Sequence, residues 1–312
     1  MINSTSTLPS IAFATCRAQP DFQPSDAIVA EALKARGIAV RPVAWNGDQA
    51  AFDSADLIVV RSTWDYYADR EGFAAWLAGL RQRDNVFNAP ALMGWNYSKR
   101  YLARLREQGA PLPPTVFCAP TKADIASAMD ALNVEEAVVK PVIGAGGIGL
   151  TRVKSGSDAD FRRAAEALKG SAAIVQPVLH EITTLGETSF VFIDGRFSHA
   201  VRKRPVGGRL LCQEEHGGTS SLVVPSNETI ADASKVLDMV PTALPDGTKI
   251  GKPLYARIDA IVSDPQIDES AVERLDAAFQ LMEVELIEPE LFFNLAPAAA
   301  EHFAEAIIHR LK

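Results

Sequence analysis

Residues Gly144-Ala-Gly-Gly-Ile-Gly149 constrain the fold of this chain more than any other stretch. They spell GxGxxG, but a dinucleotide fingerprint needs its glycines to end a strand and open a helix, with an acidic residue about 20 positions on. Here the segment before them, 137–141, is strand-like, and 148–153 after them is again β-type, so the glycines join two strands. The same stretch fits G-x-x-x-x-G, yet Leu150 stands where a P-loop needs lysine. A glycine hairpin between strands remains. Glycine lets backbone N–H groups approach a phosphate chain and point at it. Lys140, at the base of the hairpin in Val138-Val-Lys-Pro141, offers a point charge beside them. Taken singly, these residues fit a glycine-rich surface hairpin with a solvated lysine better.

At about 150 residues per domain, 312 residues suggest two domains. Subtracting 39 acidic from 31 basic residues gives a net charge of −8, with no basic cluster. That balance argues against sequence-independent nucleic-acid binding and against an anionic membrane. Three cysteines, Cys16, Cys118 and Cys212, are odd in number and far apart, so neither a disulfide framework nor a CxxC metal pair is expected. The first ten residues lack a basic n-region and a long apolar h-region, so no secretory signal is expected, and no apolar run nears the ~20 residues of a membrane span. A cytoplasmic protein that handles a small molecule is the expectation.

Strands at 11–15, 38–43 and 57–60 alternate with helices at 25–36, capped by Ser25, and at about 69–83. This predicts a small doubly wound parallel sheet ending near Pro90. A second region follows from Met93: a basic helix at 99–108, a rigid Pro111–Pro114 connector, and strands at 115–117, 137–141, 148–153, 173–178, 189–193, 197–202, 255–262 and 282–287. Helices are expected at 122–132, 158–168, 269–279 and 300–311, and at most one short helix within 228–251.

Tyr255-Ala-Arg257-Ile-Asp259 alternates, which puts Tyr255, Arg257 and Asp259 on one strand face; Glu283 and Glu285 likewise share a face. Carboxylates converging from neighbouring strands are costly unless a cation neutralises them. Oxygen-only donors beside phosphates suit Mg²⁺, and Arg257 on that face suits a phosphate. The plainer alternative is the solvated face of an antiparallel sheet. Glu288 and Glu290 read as loop charges, with Glu288 an alternative fourth ligand. Loops after the first and third strands carry Arg17 and Arg61, each able to fork a carboxylate, and Trp64 and Tyr66, able to pack an apolar group. Domain-interface filling is the equal alternative for Trp64. His199 reads as structural, and His216, in the glycine-rich loop 207–218, as a substrate contact.

Lys99, Lys140, the glycine hairpin, Gln176-Pro177-Val178, Glu181, Arg257-x-Asp259 and Glu283-x-Glu285 follow one another in an order that resembles the ATP-grasp superfamily, over about residues 93–312. The resemblance implies an α/β and α+β molecule: two α+β subdomains that clasp ATP, with a flap at about 112–178, preceded by an α/β pre-ATP-grasp domain at 1–92. It implies that Lys99, Lys140, Gly146 and Gly147 contact ATP, that Gln176, Pro177 and Val178 form the adenine hinge, and that Glu181 holds the ribose. It also implies that Asp259, Glu283 and Glu285 hold Mg²⁺, with Mn²⁺ as a substitute. Glu285 stands where the superfamily usually has Asn.

Gly186-Glu187, His199-Ala-Val-Arg202, Arg209 and His216-Gly217-Gly218 look like the glutathione synthetase and RimK branch. That implies catalytic roles for Arg202 and Arg209 beside Arg257, and substrate contacts at His216, Gly217 and Gly218. Thr15-Cys-Arg17, Arg61-Ser-Thr-Trp64-Asp65-Tyr66, the stretch 197–205 and Glu285-Leu-Ile-Glu-Pro289 are similar to the D-cycloserine-forming ligase group, which adds Arg17, Arg61, Trp64 and Asp65 as substrate residues. The implied activity is an ATP- and Mg²⁺-dependent carboxylate–amine ligase. It would form an acylphosphate from a small, amino-acid-like carboxylate and then an amide-type bond. The alternatives are ring closure within one substrate, a non-catalytic nucleotide sensor, and, on the GxGxxG spelling alone, a dinucleotide-dependent oxidoreductase. Expected partners are small carboxylate and amine substrates and a second copy of the chain, joined through the first domain; neither nucleic acid nor membrane is expected.

Overall fold

Uninterrupted apolar strands open the structure, a computed structural model that describes residues 8–168, 170–207, 210–212, 217–268 and 278–311. Strand and helix alternate through β1 (Ser10–Thr15), α1 (Pro24–Lys34), β2 (Ala39–Ala44), α2 (Ala50–Asp53), β3 (Leu57–Val60), α3 (Arg70–Leu80) and β4 (Val86–Phe87). The four strands pair in parallel in the order β2-β1-β3-β4. β3 is buried throughout and β1 from Ile11 onward, as a parallel sheet covered on both faces requires. Ser25 does not cap α1. Pro24 takes the first turn, and the Ser25 hydroxyl instead accepts a bond from the backbone N–H of Phe293 at 2.6 Å. Asp69 does cap α3, through the N–H of Gly72.

Two short helices, α4 (Pro90–Asn96) and α5 (Tyr101–Glu107), lead into an antiparallel sheet. It is built from β5 (Val116–Cys118), α6 (Lys122–Leu132), β6 (Glu136–Pro141), β7 (Thr151–Lys154), α7 (Asp158–Leu168) and β8 (Ala173–Pro177), in the strand order β5-β8-β6-β7. β6 and β7 pair antiparallel, so the glycines do join two strands. Ile125, Met129, Phe161 and Leu168 of α6 and α7 pack on Val139, Val153 and Val175.

The rest of the chain forms α8 (Ile182–Leu185), β9 (Glu187–Ile193), β10 (Arg196–Arg204), β11 (Thr219–Val223), α9 (Asn227–Asp238), β12 (Tyr255–Val262), β13 (Phe279–Glu285) and α10 (Pro297–Arg310). Its sheet runs β11-β10-β9-β12-β13, antiparallel throughout. α9 is a 12-residue helix capped by Ser226, longer than its polar sequence suggests. The helix expected at 269–279 lies outside the described residues up to 277, and Phe279 already opens β13. α10 joins the two large sheets: Phe303 and Ile307 pack with Ile11 and Phe13 of β1, Val191 of β9 and Tyr255 of β12 in one core.

Candidate active site

A cavity of about 640 Å³ opens where the three sheets meet. Its floor follows from strand register. β12 pairs β13 with Arg257 opposite Glu285 and Asp259 opposite Glu283, and on its other side Asp259 lies opposite Ser189 of β9. The Arg257 guanidinium makes two 2.9 Å bonds to the Asp259 carboxylate, through Nε and Nη2, and pairs with Glu285. Ser189 Oγ donates to Asp259 at 2.6 Å; Lys203 Nζ donates to Asp259 at 3.2 Å and to Glu187 at 2.8 Å. Burial, at 2 % exposure, works to raise the Asp259 carboxyl, but Arg257 and Lys203 overcome it and hold it well below the usual carboxylate range. Glu285 goes the other way. Burial pushes it up to about 7 against the pull of Arg257, and the charges of Asp259 and Glu283 help.

Two lysines and the glycine hairpin form the opposite wall. Lys99 Nζ pairs with Glu283 at 2.8 Å and donates to the carbonyl of Gly144 at 2.8 Å. Lys140 faces the cavity without an ion pair among the described residues, and burial pulls its pKa below the ordinary lysine value. Gly144, Gly146 and Gly147 line the space, with Gly146 and Gly147 at φ +60° and +71°, where a Cβ is disfavoured. The Tyr66 hydroxyl donates to Gly144 O at 3.3 Å and ties the hairpin to the first sheet.

Loops of the first sheet close the third side, though not as their charges suggest. Trp64, Asp65 and Tyr66 do line the cavity. Trp64 Nε1 donates to the carbonyl of Glu288 at 2.8 Å, and Asp65 accepts from Trp45 Nε1 at 2.6 Å and Asn46 Nδ2 at 2.9 Å. Arg61 is not a substrate fork: at 1 % exposure it is sealed against Asp26 at 2.8 Å, the carbonyl of Pro289 at 3.0 Å and the Tyr255 ring. Arg17 is exposed and borders a separate surface hollow with Trp45 and Trp76, while its neighbours Cys16, Ala18 and Gln19 line the cleft. Cys16 and Cys212 are buried in the cavity wall with thiol pKa values raised by that burial, Cys212 to about 12, as suits small hydrophobes rather than nucleophiles.

Arg202 is likewise corrected. Its guanidinium points away from the cleft and is engaged by the carbonyls of Leu185 (2.5 Å) and Ile267 (3.1 Å) and by Asp268 (2.6 Å). Adjacent strand residues face opposite ways, so the cleft receives Lys203 instead, placed opposite Glu187 by the β9–β10 register. Arg209 and His216 lie outside the described residues. Gly217, Gly218, Gln176, Pro177, Val178 and Glu181 are not among the lining residues, although Ile182, one position beyond Glu181, is. The Gln176 side chain is buried and donates to Thr115 Oγ1 at 2.8 Å. Sequence reasoning gave no role to Lys203, Ser189 or Glu187; the alternation Glu187-Thr-Ser189 was their one available signal.

Among the described residues no group of three acidic, histidine or cysteine side chains stands ready to hold a metal ion. Asp259, Glu283 and Glu285 do face one cavity, but each is engaged by a protein cation. Their chemistry still fits a hard divalent ion. They are oxygen donors only, and Glu285 and Glu288, which burial raises to about 7 and about 8, are carboxyls that a bound cation would return to the charged form.

Residues 11–88 match the family model of the D-cycloserine synthetase DcsG N-terminal domain. The cycloserine biosynthesis protein DcsG of Streptomyces lavendulae is 27 % identical over 288 residues, covering 90 % of this chain and 92 % of that protein. Among solved structures, D-cycloserine synthetase DcsG superposes with a TM-score of 0.80 at 24 % identity, over 97 % of this chain and 100 % of that one. D-alanine–D-alanine ligase from Bacillus anthracis gives 0.67 at 13 %, covering 98 % and 97 %, and the ATP-grasp ligase PsnB gives 0.60 at 16 %, covering 97 % and 100 %. At these identities the structural likenesses carry the fold.

Proposed function

We propose that the chain is a ligase of the ATP-grasp type that activates a small carboxylate with Mg²⁺-ATP as an acylphosphate and passes the acyl group to nitrogen. One observation carries the reading: Lys140, without an ion pair among the described residues, and the glycine hairpin face the Arg257–Asp259–Glu285 network across a single cavity. Lys140 and Lys99 are the cations available to the phosphates, and the hairpin glycines Gly144, Gly146 and Gly147 lie beside them. Arg257 and Lys203 are the cations we assign to the charge that would build as the substrate carboxylate attacks the γ-phosphorus and ADP departs. Nitrogen then attacks the acyl carbon, and phosphate leaves with the bonding pair. Mg²⁺, when bound, supplies positive charge to the phosphate oxygens, and Asp259, Glu283 and Glu285 are the donors proposed to hold it. Residues 1–92 would serve the substrate and 93–312 the nucleotide, with 112–178 as the flap.

The match over residues 11–88 favours a second form of the same chemistry, in which the nitrogen belongs to the activated molecule and a ring closes. Product analysis separates the two, since ring closure needs no added amine. The test of the shared step is Mg²⁺-dependent ADP release over a panel of amino acids and their ureido and aminooxy derivatives. Lys140→Ala is expected to lower that release at least 100-fold with an unchanged circular-dichroism spectrum, because Lys140 makes no ion pair among the described residues. Wild-type release by the variant would overturn the assignment.

A further inference from the structure

We infer that Tyr66 is a positioning residue of the ligase: it fastens the glycine hairpin over the cleft, so that an activated acyl group meets nitrogen rather than water. The inference rests on the ligase reading and adds to it a residue from the first sheet. Tyr66 lies in a short 3₁₀ turn, Trp64–Ala68, that follows β3, and it is only 4 % exposed. Its ring stacks on Phe73 with centroids 4.7 Å apart and lies 5.8 Å from the Tyr97 ring. That packing fixes the line along which the hydroxyl reaches the buried Gly144 carbonyl, its acceptor at 3.3 Å. The same carbonyl accepts from Lys99 Nζ at 2.8 Å. Its two lone pairs therefore join a cleft lysine to a tyrosine of the first sheet. Residues on either side of Gly144 add apolar contacts. Ile143 and Ala145 pack against the first-sheet core that contains Tyr66, Phe73, Met93 and Ile287. Past them Gly146 and Gly147 sit at positive φ, and Ile148 is 42 % exposed, so the hairpin's far side meets solvent.

One hydrogen bond backed by two small apolar contacts is a fastening that can open and close, as substrate entry and product release require. Its opening at the wrong moment has a chemical signature. Water that reaches the acylphosphate attacks the acyl carbon; phosphate leaves with the bonding pair, and the starting carboxylate returns. The sum is ATP and water giving ADP and phosphate, with no ligated product. A loosened hairpin therefore shows as ADP released in excess of product. Loss of a merely structural tyrosine lowers ADP and product together.

The experiment uses the full chain with Mg²⁺-ATP and the acid of the panel that the wild type uses best. Two quantities are read: amide hydrogen exchange over residues 142–151, and ADP released per product formed. Tyr66→Phe keeps the ring against Phe73 and removes the hydroxyl. It is expected to speed exchange over 142–151 about fivefold, the effect of losing one ordinary hydrogen bond, with other segments unchanged. ADP per product is expected to rise from about one to about three or more. Tyr97→Phe is the matched control, because the Tyr97 hydroxyl donates to the carbonyl of Arg70 at 2.7 Å. It is expected to leave both quantities at their wild-type values. Wild-type exchange over 142–151 in Tyr66→Phe overturns the inference, as does a fall in ADP and product together at an unchanged ratio. So does a Tyr97→Phe variant that loosens the hairpin as much, since the effect then belongs to the aromatic cluster at large. Absence of ADP release by the wild type with every acid overturns the ligase reading, and the role in excluding water with it; the exchange result still decides whether Tyr66 holds the hairpin.

Discussion

Glu285 and Glu288 keep their protons into the neutral range, at about 7 and about 8, because burial and mutual repulsion disfavour the charged forms. Both values lie above the ordinary carboxylate value of 4.5, so between that value and about 8 the folded chain binds more protons than the unfolded one. The stabilisation is therefore complete below pH 4.5 and is lost as pH rises through 7 and 8. In protein free of metal and nucleotide, stability should fall from pH 5 to pH 8.5, by on the order of 6 kcal/mol given about 1.4 kcal/mol per pKa unit and both shifts. Glu288→Gln should flatten that fall in thermal melts; parallel curves for variant and wild type would show that Glu288 titrates normally. Much of this site was legible in residues, since Arg257-x-Asp259 and Glu283-x-Glu285 declare their faces by alternation alone. Arg61 was not, because what neutralises it is Asp26, 35 positions away on another element. In Arg202-Lys203-Arg204 three neighbouring cations look alike, and only the pairing of Lys203 with Glu187 decides which one enters the cleft.

Between α8 and β9 the chain turns through Gly186 at φ +72°, ψ −166°, a backbone region open essentially to glycine alone. A Cβ there would collide with the backbone carbonyl of Lys203, the residue that bridges Glu187 and Asp259. Gly186→Ala should cost about 2–4 kcal/mol in urea unfolding, combining strain with overpacking. It should also lower kcat by displacing β10 under the network. A variant of wild-type stability would mean that this junction yields easily. The β6–β7 hairpin was readable because 137–141 and 148–153 both have strand character on either side of the glycines. α9 was under-read because its sequence, Asn-Glu-Thr-Ile-Ala-Asp, is polar at its start; its inner stripe of Ala233, Val236 and Leu237 gains meaning only against β12.

Phe303 of α10 stacks on Phe293 with centroids 5.3 Å apart, meets Tyr255 edge-on at 5.9 Å, and lies 5.8 Å from the Arg61 guanidinium. The Tyr255 hydroxyl in turn shares its one hydrogen between the carbonyls of Val60 at the end of β3 (2.6 Å) and Ile287 just past β13 (2.8 Å). The carboxyl-terminal helix thus bolts the parallel sheet to the five-stranded one, and the first 92 residues share a core with the chain's end. Sequence patterning places each of these segments but not this joint, because contacts between residues 13 and 303 leave no periodic trace. A shared core predicts shared unfolding. In a Trp95→Phe background, tryptophan fluorescence from Trp45, Trp64 and Trp76 reports on the first sheet, and far-ultraviolet circular dichroism on the whole chain; both should follow one urea transition. Phe303→Ala should move that transition by about 3–5 kcal/mol, the range for deleting a buried phenyl ring, without splitting it. Separate midpoints in the wild type would mean that the two sheets fold apart and that the cleft between them is held by something other than this core.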